Sequence, residues 1–319
     1  MQDAEILAEV LLAEGRIRSY VRETPLELSP YLSAESDAEV YLKLESHQIT
    51  GSFKLRGAMN KVLSLDREER SRPVVTASSG NHAAAVAYTL HELGGTGIIY
   101  LPSTVSRAKV EALEPYGAEL RFVGEDSVEG ELEAKRVARE ESLLYISPYS
   151  DPQVIGGQGT VAVEIERQLE RFDAVFVPVG GGGLISGIAG YFKARSPSVR
   201  IVGCQPRASR VMYESLAAGR ILDLPSEPTL ADGTAGGIDP EAITFPICRR
   251  DVDEMVLVSE EEIAQAMRLA IEKHWMLIEG AAALSIASFR QKKEAFRGQT
   301  VVLVVSGKKV AIEKLRSVL

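Results

Sequence analysis

Lys54 is the first residue whose surroundings suggest chemistry. It stands in GSFKLRG (51–57), directly before a segment whose apolar residues recur with helical spacing. A cation is unfavourable in the first turn of a helix, because the helix dipole is positive there. A lysine that has lost its proton, by contrast, is a nucleophile and a base. Taken alone, the stretch is more simply explained as a solvated surface lysine, so the rest of the chain must decide.

Four consecutive glycines, Gly180–Gly183, form the strongest local signal. They stand in VPVGGGGLISG (177–187), where a strand-like run passes into a helical pattern. Glycines let a ligand approach the backbone closely, and the free N–H groups of a helix start favour an anion. The run therefore favours a phosphate cradle over a plain tight turn. A dinucleotide fingerprint is only weakly supported, because its third glycine would fall on Ile185 or Ser186.

A second group of polar residues lies in TASSGNHAAAVAY (76–88). Ser78, Ser79, Asn81 and His82 place side-chain donors where a strand-like run passes into a helical pattern. Donors at a helix start suit a carboxylate or a phenolic oxygen. Serine and asparagine are also preferred helix caps, so capping is the simpler interpretation of this stretch alone.

A third polar group follows the apolar run in VVLVVSGKK (301–309). Ser306 comes directly after this run, which places its hydroxyl at the carboxyl end of a predicted strand. A simple Ser-Gly turn explains the stretch equally well.

The elements that position these groups alternate between strand-like and helix-like segments from about residue 73 onward. The predicted strands are 73–77, 97–101, 119–123, 143–146, 173–179, 199–204 and 301–305. The predicted helices are one at the N-terminus ending near Gly15, then 81–94, 106–117, 127–141, 157–171, 184–195, 208–218 and one at the C-terminus. This alternation predicts parallel strands with crossover helices, whose ligands bind at the carboxyl ends of the strands. The segment 221–250 is predicted as a linker or an irregular functional loop.

Composition excludes several classes of protein. The chain has 319 residues, 45% of them hydrophobic, which is enough for a large core and two domains. The net charge is −9 and no basic run is present, which argues against nucleic-acid binding. Cys204 and Cys248 lack metal-ligand spacing and are expected to be buried thiols. An acidic N-terminus and the lack of a membrane-length apolar run predict a cytoplasmic protein without membrane contact.

Several stretches together resemble one family, the fold type II pyridoxal-phosphate enzymes, and within it the serine/threonine dehydratase and serine racemase branch. The resemblance covers nearly the whole chain, in order. It rests on TPLELSPYLS (24–33), LKLESHQITGSFKLRGA (42–58), ASSGNHA (77–83), GGQGTVAVEI (156–165), VPVGGGGLISGIA (177–189), ADGTAGG (231–237), LIEGAAA (277–283) and Ser306. Several motifs in consistent order are specific for the family and less specific for the substrate.

The resemblance implies pyridoxal 5′-phosphate as the cofactor and gives each singled-out residue a role. Lys54 would carry the cofactor covalently and then act as the catalytic base at Cα. Burial and the helix start both favour its neutral amine. The other implied cofactor contacts are Gly180, Gly181, Gly182, Gly183 and Leu184 at the phosphate, Phe53 on the ring, Asn81 at the phenolic oxygen and Ser306 at the pyridine nitrogen. A hydroxyl rather than a carboxylate at that nitrogen suits elimination better than transamination.

Substrate binding is implied for the loop before the helix at 81–94. Ser78, Ser79, Asn81 and His82 would hold the carboxylate of the amino acid. Ser79 is also a candidate second acid/base on the face of the cofactor opposite Lys54, as in the racemases.

Two departures from the family pattern stand out. Lys308 and Lys309 replace the usual Gly-Asn after Ser306-Gly307, which leaves the detail of that loop open. Gln205 and Val211 occupy the positions where many relatives carry the carboxylates of a divalent-cation site. No metal site is therefore predicted, because a hard cation would lack charged ligands.

The predicted fold is α/β, with two open, twisted, mostly parallel sheet domains like those of the tryptophan synthase β subunit. The larger, cofactor-binding domain is expected to comprise 1–65 and 151–319, and the smaller one 66–150. Because the chain ends at residue 319, a C-terminal regulatory domain and feedback control by isoleucine are not expected.

The predicted activity is β-elimination from a small β-hydroxy amino acid, L-threonine or L-serine, to a 2-oxo acid and ammonia. A serine or other amino-acid racemase, a dehydratase of a bulkier or acidic β-hydroxy amino acid, and a non-catalytic ligand-binding protein remain alternatives. The expected partners are the amino-acid substrate and further copies of the chain, as a homodimer or another homo-oligomer.

Overall fold

The computed structural model describes residues 1–105, 107–125 and 127–319. Its helices are α1 (Asp3–Ile17), α2 (Pro30–Ser36), α3 (Lys54–Ser64), α4 (Asn81–Leu93), α5 (Arg107–Glu111), α6 (Ser127–Glu140), α7 (Pro152–Gln168), α8 (Gly183–Arg195), α9 (Val211–Ala218), α10 (Thr244–Asp251), α11 (Glu260–His274), α12 (Gly280–Lys292) and α13 (Ile312–Val318). Its strands are β1 (Leu26–Leu28), β2 (Glu39–Lys43), β3 (Val74–Ala77), β4 (Gly97–Leu101), β5 (Glu119–Phe122), β6 (Leu144–Tyr145), β7 (Ala174–Pro178), β8 (Arg200–Pro206), β9 (Glu254–Val258) and β10 (Thr300–Val304).

The strands form two sheets. A six-stranded sheet has the order β1-β2-β10-β7-β8-β9, and all of its neighbouring pairs are parallel except β1 with β2. A four-stranded, wholly parallel sheet has the order β5-β4-β3-β6. The predicted class, α/β with two mostly parallel sheets, is therefore confirmed.

Each face of the six-stranded sheet has its own hydrophobic core. Along β10 the side chains alternate between the two, because successive residues of a strand point to opposite faces. Val301 and Leu303 pack in the core that α11 and α12 cover, and Val302 and Val304 pack in the core that α1, α7 and α8 cover. Because both faces of the sheet are covered, the sequence of β10 is a continuous apolar run and does not alternate between polar and apolar residues.

The predicted strands and helices are present in the structure with ends shifted by a few residues. Three predicted segments need comment. Helix α1 does not stop near Gly15 but continues to Ile17, which is buried against α3. The predicted helix 106–117 is two pieces, α5 and a 3₁₀ turn at Glu114–Tyr116; Ser106 lies outside the described residues. The segment 221–250 contains a 3₁₀ turn at Asp232–Thr234 and the start of α10.

Two buried cations and two buried carboxylates tie α3 to β2 and α7. The Arg56 guanidinium donates to both oxygens of Glu45, at 2.8 Å each, and to both oxygens of Glu164, at 2.7 and 2.8 Å. Lys43 Nζ donates to Glu164 at 2.7 Å. All four side chains are fully buried. Since Arg56 lies two residues after Lys54, this cluster fixes the start of α3.

The strands of the smaller sheet all fall between Val74 and Tyr145. The helix that carries Lys54 packs against both parts of the chain, since one hydrophobic cluster joins Leu55 and Met59 to Val86 and Val154. The division into 66–150 and the remainder stays a prediction. Within the described part of the chain, no helix has the length and apolar character needed to cross a membrane.

Candidate active site

A cavity of about 390 Å³ lies at the carboxyl ends of β3, β7 and β10. This is the edge at which parallel sheets bind ligands. Every site residue predicted from the sequence lines the cavity, namely Phe53, Lys54, Ser78, Ser79, Asn81, His82, Gly180, Gly181, Gly182, Gly183, Leu184 and Ser306. The structure therefore brings together four stretches that are far apart in the sequence.

Lys54 is the first residue of α3, and its side chain is partly buried in the cavity wall. Nζ donates to the carbonyl oxygen of Pro148 at 2.7 Å and lies 5.2 Å from the centre of the Phe53 ring. Burial lowers the pKa of Lys54 to about 8, and the charge of Glu279 partly opposes this shift. At neutral pH a substantial fraction of the amine is thus unprotonated and able to act as a nucleophile or base.

The glycine loop leads directly into α8. Gly182 is the N-cap of this helix and has a φ of +89°, a left-handed conformation that favours glycine. The other side of the loop is tightly packed: a Cβ on Gly181 would lie 2.5 Å from the Tyr149 ring, and one on Gly183 would lie 2.9 Å from Tyr149 Cα. The loop therefore needs glycines, and the first turn of α8 offers its N–H groups to an anion.

The loop between β3 and α4 carries the predicted substrate-binding residues. Ser78 Oγ accepts a hydrogen bond from the N–H of Gly80, at 3.2 Å. His82 Nε2 lies 3.1 Å from Thr76 Oγ1 and 3.2 Å from the carbonyl oxygen of Ile146. Burial, together with the charge of Lys54, lowers the pKa of His82 to about 3. His82 is therefore neutral at pH 7. Because Nε2 donates its proton to the Ile146 carbonyl, Nδ1 is an acceptor, and the predicted role of His82 in holding a carboxylate has no donor in this arrangement.

Glu279 is a site residue that the sequence analysis missed. It lines the cavity, is 5% exposed, and accepts hydrogen bonds from Asn81 Nδ2 at 3.0 and 2.9 Å. Its carboxylate lies against the loop that follows Ser306, because a Cβ on Gly307 would be 2.5 Å from Oε1. The available signal was its place in LIEGAAA (277–283), a motif used for the resemblance without a role for the glutamate.

Further residues line the same cavity without having been predicted, among them Lys109, Tyr149, Asp232, Thr234 and Lys309. Tyr149 and Thr234 pack against the glycine loop. A second cavity of about 290 Å³ shares Ser79, Lys109, Asp232, Glu279 and Lys309 with the first. The two cavities therefore adjoin at a rim that carries both signs of charge.

The site fits pyridoxal phosphate on several independent grounds. The amine of Lys54 is partly neutral, as a lysine that binds an aldehyde requires. The glycine loop and the start of α8 form a phosphate cradle. Two polar atoms in the cavity wall, Asn81 Oδ1 and His82 Nδ1, are buried and have no hydrogen-bond partner among the described residues. Unpaired buried polar atoms are costly in a folded protein unless a ligand or water pairs with them.

The candidate cation positions hold no charged ligand. Gln205 Oε1 accepts a hydrogen bond from the N–H of Tyr213 at 2.8 Å, and Val211 is buried. In the part of the chain that the structure describes, no group of three or more His, Cys, Asp and Glu residues is placed to hold a metal ion.

Because these positions lack carboxylates, we expect activity to be independent of divalent cations. Dialysis against a chelator should leave turnover within about twofold, since loss of a tightly bound structural cation would remove far more stability through linkage. The measurement is oxo-acid formation before and after dialysis. A large loss that magnesium or calcium restores would contradict this expectation.

Fold and site together define an enzyme that holds a phosphorylated aldehyde cofactor between a lysine and a glycine loop. The family model described as "pyridoxal-phosphate dependent enzyme" matches residues 17–307. The chain belongs to this family.

Two curated relatives are similar over nearly the whole chain. An L-threonine ammonia-lyase of Thermotoga maritima is 38% identical over 309 residues, which cover 97% of this chain and 77% of the relative. A catabolic L-threonine dehydratase of Staphylococcus aureus is 38% identical over 325 residues, which cover 100% of this chain and 94% of the relative.

Two solved structures have the same fold. A threonine deaminase from Solanum lycopersicum superposes with a TM-score of 0.94 at 36% identity, covering 99% of this chain and 92% of that one. A maize serine racemase superposes with a TM-score of 0.92 at 34% identity, covering 98% of this chain and 95% of that one.

Proposed function

We propose that this protein is an ammonia-lyase that eliminates water from a small β-hydroxy amino acid, L-threonine or L-serine, and releases an enamine product, which takes up water again and loses ammonia to give a 2-oxo acid. The observation that carries the proposal is the amine of Lys54, which faces the same cavity as the glycine loop and the serines before α4. Relatives named for threonine ammonia-lyase activity over the whole chain support this choice of substrate.

Bound in the cavity, pyridoxal phosphate supplies a conjugated ring that stabilises negative charge at Cα of an attached amino acid. The glycine loop and the N–H groups of α8 hold its phosphate. Phe53 and Ser306 line the cavity, where Phe53 would pack beside the ring and Ser306, after β10, would offer a hydroxyl rather than a carboxylate to the ring nitrogen. These contacts fix the orientation of the ring relative to Lys54.

Lys54 Nζ is the group that accepts the Cα proton of the substrate. With pyridoxal phosphate bound, the neutral amine of Lys54 would accept the Cα proton of the substrate as a general base. The Pro148 carbonyl, 2.7 Å from Nζ, accepts a hydrogen bond and so orients the amine. Ser78, Ser79 and the start of α4 hold the substrate carboxylate, which lies at a helix N-terminus. The Cα–H and Cβ–O bonds break, a proton such as the one taken up by Lys54 goes to the leaving hydroxyl, and water departs to leave the enamine.

A panel of β-hydroxy amino acids with detection of 2-oxo acid and ammonia tests the proposal. We expect oxo acid from L-threonine and L-serine, in amounts equal to the ammonia released. A preference for an acidic or bulky member of the panel would correct the substrate alone. No oxo acid and no D-isomer from any member would leave the ligand-binding alternative.

Racemisation is a second candidate function, because Ser79 lines the cavity and serine racemases share the fold. A serine hydroxyl can return a proton to Cα from the face opposite Lys54, but it is a poor base without a partner that lowers its pKa. We therefore propose that elimination dominates.

Ser79→Ala separates the two reactions. It should lower formation of D-serine from L-serine at least about a hundredfold, the lower end for loss of an acid/base group. Proton removal from the L-substrate by Lys54 should persist, so pyruvate formation at saturating L-serine should stay within about threefold of the parent, while loss of a carboxylate contact raises the KM. Chiral chromatography and pyruvate detection on one incubation measure both. If the parent makes D-serine faster than pyruvate, the ammonia-lyase assignment is wrong and racemase takes its place.

We also propose a cytoplasmic homodimer. Trp275 is 88% exposed at the end of α11, and Leu277 and Tyr31 are exposed nearby. Lys273 Nζ lies 5.5 Å from the centre of the Tyr31 ring, so the end of α11 lies beside α2 and the exposed apolar residues of both segments are on one side of the protein. Large exposed apolar surfaces typically mark contacts between proteins. Sedimentation at twice the chain mass of 34.6 kDa is expected, and Trp275→Lys should shift the protein toward the monomer. A parent that sediments as a monomer would contradict this.

A further inference from the structure

Part of the segment 221–250 is fastened to residues that pack against the glycine loop. The N–H of Asp239 donates to the Tyr149 hydroxyl at 2.8 Å, and the N–H of Ile243 donates to Ser150 Oγ at 3.1 Å. Tyr149 itself packs against the glycine loop. These contacts hold the start of α10, which follows directly, beside the loop.

Thr244, the first residue of α10, makes a polar contact with the loop. Its side chain is fully buried, and its hydroxyl donates to the carbonyl oxygen of Gly181 at 2.6 Å. The direction of this hydrogen bond is fixed, because a carbonyl oxygen can only accept. Gly181 and Gly182 line the cavity and Thr244 does not, so the hydroxyl reaches the loop from the side away from the cavity.

This contact orients the peptide group that joins Gly181 to Gly182. The peptide is trans and planar, so its C=O and its N–H point in opposite directions. Because the carbonyl is turned toward Thr244, the N–H of Gly182 points away from Thr244 and toward the cavity. This N–H donates to no acceptor among the described residues. Buried N–H groups are almost always paired in folded proteins, so this one is available to a ligand.

A peptide group between two glycines does not keep this orientation by itself. Turning it over changes ψ of Gly181 and φ of Gly182, and glycine tolerates φ of either sign. The turned peptide would place a carbonyl oxygen, which is an acceptor, where an anion needs a donor. A hydrogen-bond donor behind the loop decides between the two orientations, because a buried carbonyl without a partner is costly.

We propose that Thr244 is a positioning residue of the phosphate cradle: it holds the Gly181 carbonyl and so directs the N–H of Gly182 toward the cofactor phosphate. The inference rests on the proposed placement of that phosphate at the glycine loop. It concerns binding of the cofactor alone, and it holds whichever amino acid is the substrate. It also gives the segment 221–250 a function at the site.

Thr244→Val tests the proposal, because valine keeps the shape of threonine and has no hydroxyl to donate. The Kd of pyridoxal phosphate, measured by equilibrium dialysis against apoenzyme, should rise about ten- to a hundredfold, as loss of one hydrogen bond to a charged group predicts. The Kd of pyridoxal, which lacks the phosphate, should stay within about twofold of the parent's. Thr244→Ser keeps the hydroxyl and should bind both ligands within about threefold of the parent.

Met212→Leu is the matched control for packing behind the loop. A Cβ on Gly182 would lie 3.0 Å from Met212 Cε and 3.0 Å from Thr244 Cβ, but the methionine side chain has no hydrogen-bond donor. This variant should bind both ligands within about twofold of the parent. Urea unfolding of each apoenzyme shows whether the variant is folded. If Thr244→Val does not fold, Thr244→Ala takes its place, and the same loss for pyridoxal phosphate alone is expected.

Any of three results would overturn the proposal: an unchanged Kd of pyridoxal phosphate in Thr244→Val, an equal loss of pyridoxal binding, or an equal loss in Thr244→Ser or Met212→Leu. Because the readout is cofactor binding, none of these results bears on the ammonia-lyase function. A protein that binds pyridoxal phosphate and acts on no amino acid could still show the selective loss, and an active ammonia-lyase could fail to show it.

Discussion

Lys54→Ala should lower turnover by about 10³-fold or more, the largest effect on activity of any single substitution in this site. The variant loses the covalent link to the cofactor and the base that takes the Cα proton at the same time. Lys308→Ala is the matched control, because this lysine also lies in the loops around the site but is exposed. Its turnover should stay within a few-fold of the parent.

Borohydride reduction of the holoenzyme followed by peptide mapping gives a direct readout for Lys54. We expect the label on the peptide that contains GSFKLRG. A label on Lys308, Lys309 or any other lysine would contradict the assignment, whatever the activity of the alanine variant.

The pH dependence of reconstitution gives a third measurement on Lys54. With a pKa of about 8, about a tenth of the amine is neutral at pH 7 and about nine-tenths at pH 9. For an ordinary lysine, the neutral fraction at pH 7 would be below about one in a thousand. Covalent attachment of the cofactor should therefore speed up about tenfold between pH 7 and 9 and then level off. A rate that continues to rise tenfold per unit beyond pH 9 would mean that burial does not perturb the amine.

The parallel sheets were predictable because their strands are covered on both faces, and the sequence of such a strand is a short, continuous apolar run. The runs at 97–101, 173–179 and 301–305 are strands within a residue or two of the predicted ends. Strands β1 (LEL) and β2 (EVYLK) were missed because they mix polar and apolar residues. Strand β9 (EMVLV) has the apolar run of a buried strand and was missed although that signal was present. The end of α1 was predicted near Gly15, and the helix ends two residues later, at Ile17. A glycine weakens a helix but does not end it where the residues after it are packed, and Ile17 is buried here.

The site residues that carry a local signal were also predictable. A glycine run, a lysine at a helix start and serines after a strand can each be recognised within about ten residues of sequence. For Glu279 the motif LIEGAAA was a local signal but indicated no role, because its partner Asn81 is 198 positions away and the contact exists only once the starts of α4 and α12 lie in place. Tyr149, which packs against the glycine loop, was missed for the same reason.

The buried cluster around Arg56 should give the largest effect on stability. Arg56→Met removes four hydrogen bonds to carboxylates and leaves Glu45 and Glu164 buried, with Lys43 the remaining fully buried cation of the cluster. Removing one partner of a buried ion pair costs about 3–5 kcal/mol, because the other charge stays without compensation. Urea unfolding of parent and variant at pH 7 measures the loss as a lower midpoint at unchanged slope.

Arg297→Met is the matched control, since it removes the same charge from a pair with Glu294 in which the arginine is 62% exposed. Arg297→Met should lower the free energy of unfolding by at most about 1 kcal/mol. The double variant Arg56→Met/Glu45→Leu should recover part of the stability lost in Arg56→Met, because it removes one of the two buried carboxylates that lost their Arg56 partner. Equal costs for Arg56→Met and Arg297→Met would contradict the assignment.

The pH dependence of the same variant follows from Glu164. The charges and hydrogen bonds of Arg56 and Lys43 outweigh burial and hold the pKa of this carboxyl well below its usual range. A carboxyl with a depressed folded-state pKa contributes stability that is fully present above its unfolded pKa, about 4.3, and is lost as pH falls toward the folded value. Without Arg56, Lys43 and Arg18 still pair with Glu164, so the part of that contribution that Arg56 makes is the part lost at pH 7. The difference in unfolding free energy between parent and Arg56→Met should therefore be largest near pH 7 and shrink below about pH 4, and a gap that widens on acidification would show that Arg56 does not stabilise an ionised Glu164.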